Sequence, residues 1–332
     1  MLIRVRRGWE LSEASATPEA AFLGRRQFGQ GLIAGGVAAG LATLTPGDAQ
    51  AFSLFGNSTP AAPAVVLKPM PAAVNARYVA GRPLTAEEEA THYNNFYEFS
   101  LQKRLADKAA ALKTEPWTVE IGGMVAAPRK IDLDKLLQQV SLEQRVYRHR
   151  CVEAWAMTVP WTGFPLASLV KLAQPLGSAK YIRFTTLSDD KIMPGIGESP
   201  FYPWPYTEGV TMQEAMNEMA FISVGLYGKT LPPQNGAPLR LTLPWKYGFK
   251  SAKSLVKIEF TNKQPDTFWQ SLQSSEYGFW ANVNPAVPHP RWSQAQERLI
   301  GTGETVPTQI WNGYGEFVAE MYNDKKNERL FV

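Results

Sequence analysis

Proline and glycine punctuate this sequence so often, 25 and 26 times in 332 residues, that the regular elements between them are expected to be short. Trp117 to Ile121, Arg145 to Arg150, Tyr181 to Thr186, Leu239 to Leu243 and Leu255 to Thr261 are rich in strand-favouring residues. Leu133 to Gln139, Leu166 to Leu172 and Met212 to Met219 place apolar residues at helical spacing instead. These runs are not joined as regular βαβ units, so the expected fold is a mixed, β-rich α+β domain. Hydrophobic residues make up 45% of the chain and aromatics 11%, ample material for a large core. No internal repeat is visible, and no linker breaks the chain after residue 90, so residues 85–332 read as one domain. Thr85-Ala86-Glu87-Glu88 has the spacing of a capping box, which predicts a short helix running toward His92.

The first 51 residues read as a processing segment. Arg25-Arg26-Gln27-Phe28-Gly29 precedes a Gly/Ala-rich apolar run from Leu32 to Leu44, and Ala49-Gln50-Ala51 follows with the A-x-A spacing of a cleavage site. That is the pattern of a twin-arginine signal. The run is shorter than the roughly 20 residues that span a bilayer, and its glycines lower its hydropathy, so a transmembrane anchor is the weaker reading. Arg6-Arg7 is a poorer arginine pair, because Gly8-Trp9-Glu10 follows it. Cleavage after Ala51 and export to the periplasm by the twin-arginine translocation machinery are expected. Because that route carries folded proteins, the signal itself hints at a cofactor acquired before export. Residues 52–84, rich in Ala and Pro, read as a linker or N-terminal arm. The formal charge is +4, and +3 once residues 1–51 are removed, too mild a balance to argue for nucleic acid.

No G-x-G-x-x-G opens a helix and no G-x-x-x-x-G-K-[ST] occurs, so nucleotide cofactors are not indicated. A lone cysteine cannot hold an iron–sulfur cluster or covalent c-type haem, nor form a disulfide within the chain. His92, His149 and His289 lie far apart without a helical pair, which argues against zinc. Cys151 is therefore either buried and inert or the seat of chemistry. It stands in Tyr147-Arg148-His149-Arg150-Cys151-Val152-Glu153-Ala154-Trp155, at the end of a strand and beside two arginines. Nearby cations favour the thiolate, the form that binds soft or high-valent metals. Residue statistics alone favour the inert cysteine. His149 shares a strand face with Cys151 and is a formal candidate for its base, but nothing evident orients the imidazole.

Two other stretches carry polar chemistry. Leu231 to Arg240, with the turn signal Asn235-Gly236, leads into Pro244 to Lys253. Basic side chains between glycines and aromatics suit a phosphate-bearing heterocycle, although the same lysines fit a solvated face. His92-Tyr93-Asn94-Asn95-Phe96-Tyr97-Glu98-Phe99 is crowded with donors, acceptors and stacking groups, yet also fits an ordinary helix end.

In order along the chain, YNNFYEF, KTEPWTVEI, RCVEAWAM, VPWTGFPL, LPPQNGAPLRL, PWKYGFKS, EYGFWANVNP, HPRWSQA and WNGY resemble the sulfite-oxidase-like molybdopterin-binding family from about Tyr93 to the C-terminus. Within it they look most like the branch that reduces methionine sulfoxide residues of oxidised periplasmic proteins. The resemblance implies a Mo-molybdopterin cofactor with Cys151 as the catalytic thiolate ligand of the metal. It implies pterin contacts from Asn94, Tyr97, Glu98, Thr186, Asn235 and Arg240, and a phosphate end at Ser251, Ala252 and Lys253. Thr185 beside Thr186 makes that one position ambiguous. Oxygen-atom transfer from the sulfoxide to the metal is the implied chemistry, with Arg150 as a candidate tuning charge. The chain shows no haem motif, flavin fold or cluster ligands of its own. Electrons are therefore expected from another protein, and the resemblance implies a membrane haem-b cytochrome subunit linked to the quinone pool. A sulfite-dehydrogenase-like molybdoenzyme is the alternative within the same fold; a cysteine hydrolase and an aromatic-lined binding module lie outside it. Ser188 to Glu208 departs most from the family pattern, which leaves substrate preference least constrained.

Overall fold

The computed structural model describes residues 65–331, so the expected signal segment and the first part of the expected arm lie outside the described residues. Residues 65–84 are largely extended and contribute β1 (Ala73–Val74); α1 (Glu87–His92) and α2 (Ala106–Ala109) follow. Next come β2 (Thr118–Gly123), β3 (Arg129–Asp132), α3 (Leu133–Leu137), β4 (Glu143–Arg150), β5 (Trp155–Pro165) and α4 (Leu166–Ala173). The middle of the chain holds β6 (Tyr181–Thr186), α5 (Pro194–Glu198), β7 (Thr207–Thr211), α6 (Met212–Met216), β8 (Phe221–Leu226), β9 (Lys229–Thr230) and β10 (Arg240–Thr242). The rest is β11 (Leu255–Thr261), α7 (Phe268–Leu272), β12 (Gln296–Leu299), β13 (Thr305–Pro307) and α8 (Gly315–Val318). Short 3-10 turns lie between them, including Pro233–Asn235 and Gly248–Lys250. Among the described residues no helix is long and apolar enough to cross a membrane.

Two sheets organise these elements. One runs β1-β4-β5-β12-β13, with β8 also paired to β5 and carrying β9 and β10; the other runs β3-β2-β11-β6-β7. The pairs β1–β4, β2–β11 and β5–β12 are parallel, whereas hairpins such as β4–β5 are antiparallel, so the sheets are mixed and the fold is α+β. β5 is the central strand, paired with β4 on one edge and with β8 and β12 on the other. Every residue from Trp155 to Phe164 is buried. Covered on both faces, such a strand reads as an unbroken buried run rather than as an alternation. The β4–β5 hairpin turns through Cys151–Ala154: Cys151 N donates to Trp155 O at 2.9 Å, and Ala154 takes φ 62°. This tight turn presents the thiol at the end of the sheet.

The expected capping box does not form. Helix α1 does run from Glu87 to His92, but no side chain caps its start. The Thr85 hydroxyl instead accepts from Thr158 N at 3.0 Å while Thr85 N donates to Thr158 O at 2.9 Å, so Thr85 is committed to β5 as a strand residue would be. A complete capping box occurs at α6, where Thr211 accepts from Glu214 N and the Glu214 carboxylate accepts from Thr211 N.

Gly163 lies where the β5–β8 register shifts. A Cβ there would come within 2.0 Å of Ile222 O and 2.8 Å of the Phe221 ring. Gly163→Ala is expected to destabilise the fold by about 1–3 kcal/mol, as overpacking between paired strands does. Denaturant unfolding checks this; an unchanged midpoint would contradict it.

Candidate active site

A cleft opens beside the β4–β5 turn. Cys151, Asn94, Tyr97, Glu98, Asn235, Arg240 and Lys253 all line it, although they come from segments up to 159 positions apart. The turn supplies Cys151, the chain after α1 supplies Asn94 to Glu98, and the Pro233–Asn235 turn leading to β10 supplies Asn235 and Arg240. The two walls are tied together by Asn235 Nδ2 donating to Ala90 O at 3.0 Å and by Gln234 Nε2 donating to Thr91 O. Gly236 takes φ +98°, and a Cβ on it would lie 2.7 Å from Lys253 Cβ; glycine lets the Lys253 backbone close over the turn.

Thr186, Ser251 and Ala252 are buried but do not line the cleft. Ser251 Oγ accepts from Leu243 N and its carbonyl from Arg240 Nη2, while Ala252 O accepts from Leu241 N, so this pair braces β10 from behind. The Thr186 hydroxyl has no hydrogen-bond partner; the Thr186 amide donates to the carbonyl of Tyr206, a cleft residue.

The cationic flank of Cys151 does not act as the sequence suggested. Arg148 turns to Ala80 O and Gln309, and Arg150 is committed to Glu297, Gln294 and the Cys151 carbonyl. Burial pushes the thiol up to about 12, and the Glu153 carboxylate adds to that, outweighing Arg150 and Lys103. Adjacency in sequence does not place either guanidinium in hydrogen-bond contact with the sulfur. Deprotonation then calls for a cation at the sulfur itself, which a bound metal supplies. His149 also lines the cleft, but it is not among the hydrogen-bond partners of Sγ, which are Asn95 Nδ2 and Glu153 N, both at 3.5 Å. Burial, with Arg240 and Lys253 nearby, drives the His149 imidazole well below its ordinary value and keeps it neutral.

Lys103, Asn95 and Glu153, which surround the thiol, were not among the site residues read from sequence. Lys103 pairs with the Glu153 carboxylate and with Asn95 Oδ1. Burial pushes the Glu153 carboxyl up, but Lys103, Asn95 and the Trp155 indole outweigh it and hold Glu153 ionised. Tyr97 donates to the same carboxylate at 3.4 Å. Glu153 stood in the quoted motif beside Cys151, so its proximity was the available signal; nothing in sequence joined Lys103 to it. Trp269, Tyr277 and Tyr206 add an aromatic wall.

Charge is what most distinguishes the cleft. Among the described residues five Lys or Arg are buried: Arg145, Arg150, Arg240, Lys246 and Lys250. Four have a carboxylate within salt-bridge distance, namely Glu143, Glu297, Glu214 and Glu208. Arg240 has none, and donates only to the carbonyls of Leu241, Asn235 and Ser251. Burial alone pushes its guanidinium down to about 10. Lys253, half-buried above the Phe96 ring, is pushed down to about 8 by burial and by Arg240. Burial raises the Glu98 carboxyl to about 7 against the pull of Lys253. Asn94 Nδ2, Asn94 Oδ1 and Asn235 Oδ1 are buried without a hydrogen-bond partner.

A family model described as an oxidoreductase molybdopterin binding domain matches residues 107–269. Over 329 residues the chain is 45% identical to the protein-methionine-sulfoxide reductase catalytic subunit MsrP of Burkholderia mallei, covering 98% of this chain and 96% of that protein. This chain therefore belongs to the molybdopterin-binding oxidoreductases and, within them, to the family of protein-methionine-sulfoxide reductase catalytic subunits. A solved structure, the sulfane dehydrogenase SoxCD of Paracoccus pantotrophus, is similar at TM-score 0.41 and 15% identity over 69% of this chain and 62% of that one.

The residues present fit the cofactor. An unpaired buried guanidinium and a recessed ammonium suit a phosphate, unsatisfied amide groups suit the edge of a pterin, and a thiol faces the same space. Asn94, Asn235, Arg240 and Lys253 would hold the pterin, and Cys151 would ligate the metal.

The lowered lysine has a consequence for pH. Between about 8 and the ordinary value of 10.5 the unfolded chain holds the Lys253 proton that the folded chain has shed. Raising pH through that window therefore favours the cofactor-free fold. Lys253→Met is expected to flatten that slope in urea unfolding of cofactor-free protein, and phosphate binding is expected to shrink it by pulling the ammonium back up. An identical slope in the variant would contradict this reading.

Proposed function

We propose that this protein is the periplasmic, molybdenum-dependent reductase of methionine sulfoxide residues in oxidised proteins, supplied with electrons by a membrane haem-b subunit linked to the quinone pool. The observation that carries it is the cleft itself: Arg240 buried without a counter-charge, unsatisfied amides beside it, and the chain's lone thiol on the same wall. The 45% identity to a protein-methionine-sulfoxide reductase subunit supports the substrate. Arg25-Arg26, with the apolar run and A-x-A site behind it, supports export by the twin-arginine machinery.

Reduction of a sulfoxide to a thioether and water consumes two electrons and two protons. When bound, the molybdenum centre supplies the oxygen acceptor and the electron store. The chain's own residues prepare the rest. Asn94, Asn235, Arg240, Lys253 and Glu98 would bind and orient the pterin, with Ser251 and Ala252 fixing the strand that carries Arg240. The Thr186 hydroxyl is a further donor at the Tyr206 side. Burial and Glu153 push the Tyr97 hydroxyl above its ordinary range, so Tyr97 Oη keeps its proton at working pH. Lys103 Nζ, the Glu153 carboxylate and Tyr97 Oη form a hydrogen-bonded row beside the thiol that can hold protons where the reaction consumes them. Trp155, Trp269 and Tyr277 keep bulk water from the cleft while leaving an apolar wall for a thioether, a group that favours contact with aromatic rings.

Purified enzyme given a dithionite-reduced viologen is expected to reduce methionine sulfoxide in an oxidised protein and to show no comparable oxidation of sulfite by ferricyanide. Sulfite oxidation without sulfoxide reduction would replace this assignment by the sulfite-dehydrogenase reading. Hydrolytic turnover by molybdenum-free protein would replace it by the cysteine-hydrolase one.

A further inference from the structure

One side-chain amide supplies the Cys151 sulfur with a hydrogen-bond donor. Asn95 Nδ2 donates to Cys151 Sγ at 3.5 Å and to Glu153 Oε2 at 3.3 Å, so both of its hydrogens are engaged. The Asn95 oxygen accepts from Lys103 Nζ, which donates to Glu153 Oε2 as well. The two ends of an amide have nearly the same shape, so its partners choose its orientation. An ammonium can only donate and a carboxylate can only accept. Turned over, the amide would set N–H groups against the Lys103 ammonium and its oxygen against both the sulfur and the Glu153 carboxylate. The sulfur would then keep only the Glu153 backbone N–H, also at 3.5 Å.

Lys103 is held in place by its own loop. Asn94 N donates to Lys103 O at 3.1 Å, while Phe99 N and Ser100 N donate to Phe96 O at 2.9 and 3.1 Å. The buried rings of Phe96 and Phe99 meet edge to face inside it, 4.9 Å apart. One closed loop thus carries Asn94, Asn95 and the lysine that orients Asn95. Lys103 itself is not a partner of the sulfur, and its side chain is 27% exposed against 30% for Glu153. A pair that wet contributes little to stability, so replacing the lysine leaves the fold standing.

We infer that Lys103 is a positioning residue for the redox centre: with Glu153 it locks the Asn95 amide so that an N–H, and not the carbonyl, faces the Cys151 sulfur. The inference rests on the molybdenum reading of Cys151 and deepens it. A donor on a metal-bound thiolate draws electron density from the sulfur, which favours the reduced metal and raises its potential. An acceptor in the same place would repel the sulfur's lone pairs and do the reverse. Lys103 therefore acts on the metal through Asn95, across eight positions of one loop.

The test compares purified holoenzyme of wild type, Lys103→Arg, Lys103→Met, Asn95→Ala and the Asn95→Ala, Lys103→Met double variant. The Mo(V) resonance and the Mo(V)/Mo(IV) midpoint are measured beside turnover of methionine sulfoxide. Lys103→Arg, which keeps donors for Asn95 Oδ1, is expected to match wild type in resonance and midpoint. Lys103→Met is expected to shift the resonance, lower the midpoint and reduce turnover about 10–100-fold, the usual cost of losing a group that orients a metal's surroundings. Added to Asn95→Ala, it is expected to move resonance and midpoint no further, because the amide it acts through is gone. An unmoved resonance and midpoint in Lys103→Met overturns the inference. So does an equal shift in both backgrounds, which would make Lys103 a direct charge on the metal. Labelling asparagine with nitrogen-15 gives a readout that needs no metal. In dithionite-reduced protein the Asn95 side-chain N–H signals, assigned by their loss in Asn95→Ala, are expected to exchange slowly with solvent in wild type and fast in Lys103→Met. Wild type without molybdenum would end the reductase reading and leave that exchange to decide the orientation. Equal exchange in the two proteins overturns the positioning role whatever the metal content.

Discussion

Arg240 is a positive charge taken out of water with no negative charge to meet it. Removing an ion from water costs several kcal/mol even after a protein relaxes around it, and folded chains recover that cost with a partner. This chain does so at Arg145, Arg150, Lys246 and Lys250, each beside a glutamate. At Arg240 it supplies three backbone carbonyls and the face of the Trp161 ring, 5.0 Å away, but no carboxylate. Burial lowers the guanidinium to about 10, still far above physiological pH, so the charge persists. An anion must complete the site. The unsatisfied Asn94 amide and Asn235 Oδ1 on the same cleft suit an anion that also carries hydrogen-bonding ring edges.

The scaffold exists to hold that guanidinium and one thiol on opposite segments of the same cleft. β5 is the rigid reference, buried along nearly its whole length and paired on both edges. Its hairpin with β4 sets Cys151, and its pairing with β8, which in turn carries β10, sets Arg240. Because both elements hang from one strand, their separation is a property of sheet register, which backbone hydrogen bonds define closely. The loops that carry Asn94 and Asn235 are then tied to each other by amide-to-carbonyl bonds.

Alternation and helical spacing made some of this legible in sequence. β6 and β11 stand where their residues alternate, Tyr181–Thr186 and Leu255–Thr261, because each has one face on the core. β5 and β8 were not legible, since burial on both faces erases the period that marks a strand. The Thr85 capping box misled for a related reason: local spacing was right, but a long-range pairing with Thr158 offered its hydroxyl a better partner. Within the cleft, Cys151, Asn94, Tyr97, Glu98, Asn235, Arg240 and Lys253 were reachable through motif resemblance, and the structure brings them together. Lys103 was not, because its meeting with Glu153 spans 50 positions and depends on the tertiary path alone. The flanking arginines were a poor guide to the metal-free thiol, because side-chain direction, rather than adjacency, decides which charge a sulfur feels.

Joint molybdenum and pterin analysis of the purified wild type and of Arg240→Met bears on this account most directly. The account predicts about one metal and one pterin per wild-type chain, as expected for a resident cofactor. It predicts folded Arg240→Met protein stripped of both. A full complement of pterin in Arg240→Met, or a wild type that never contains any, would contradict it.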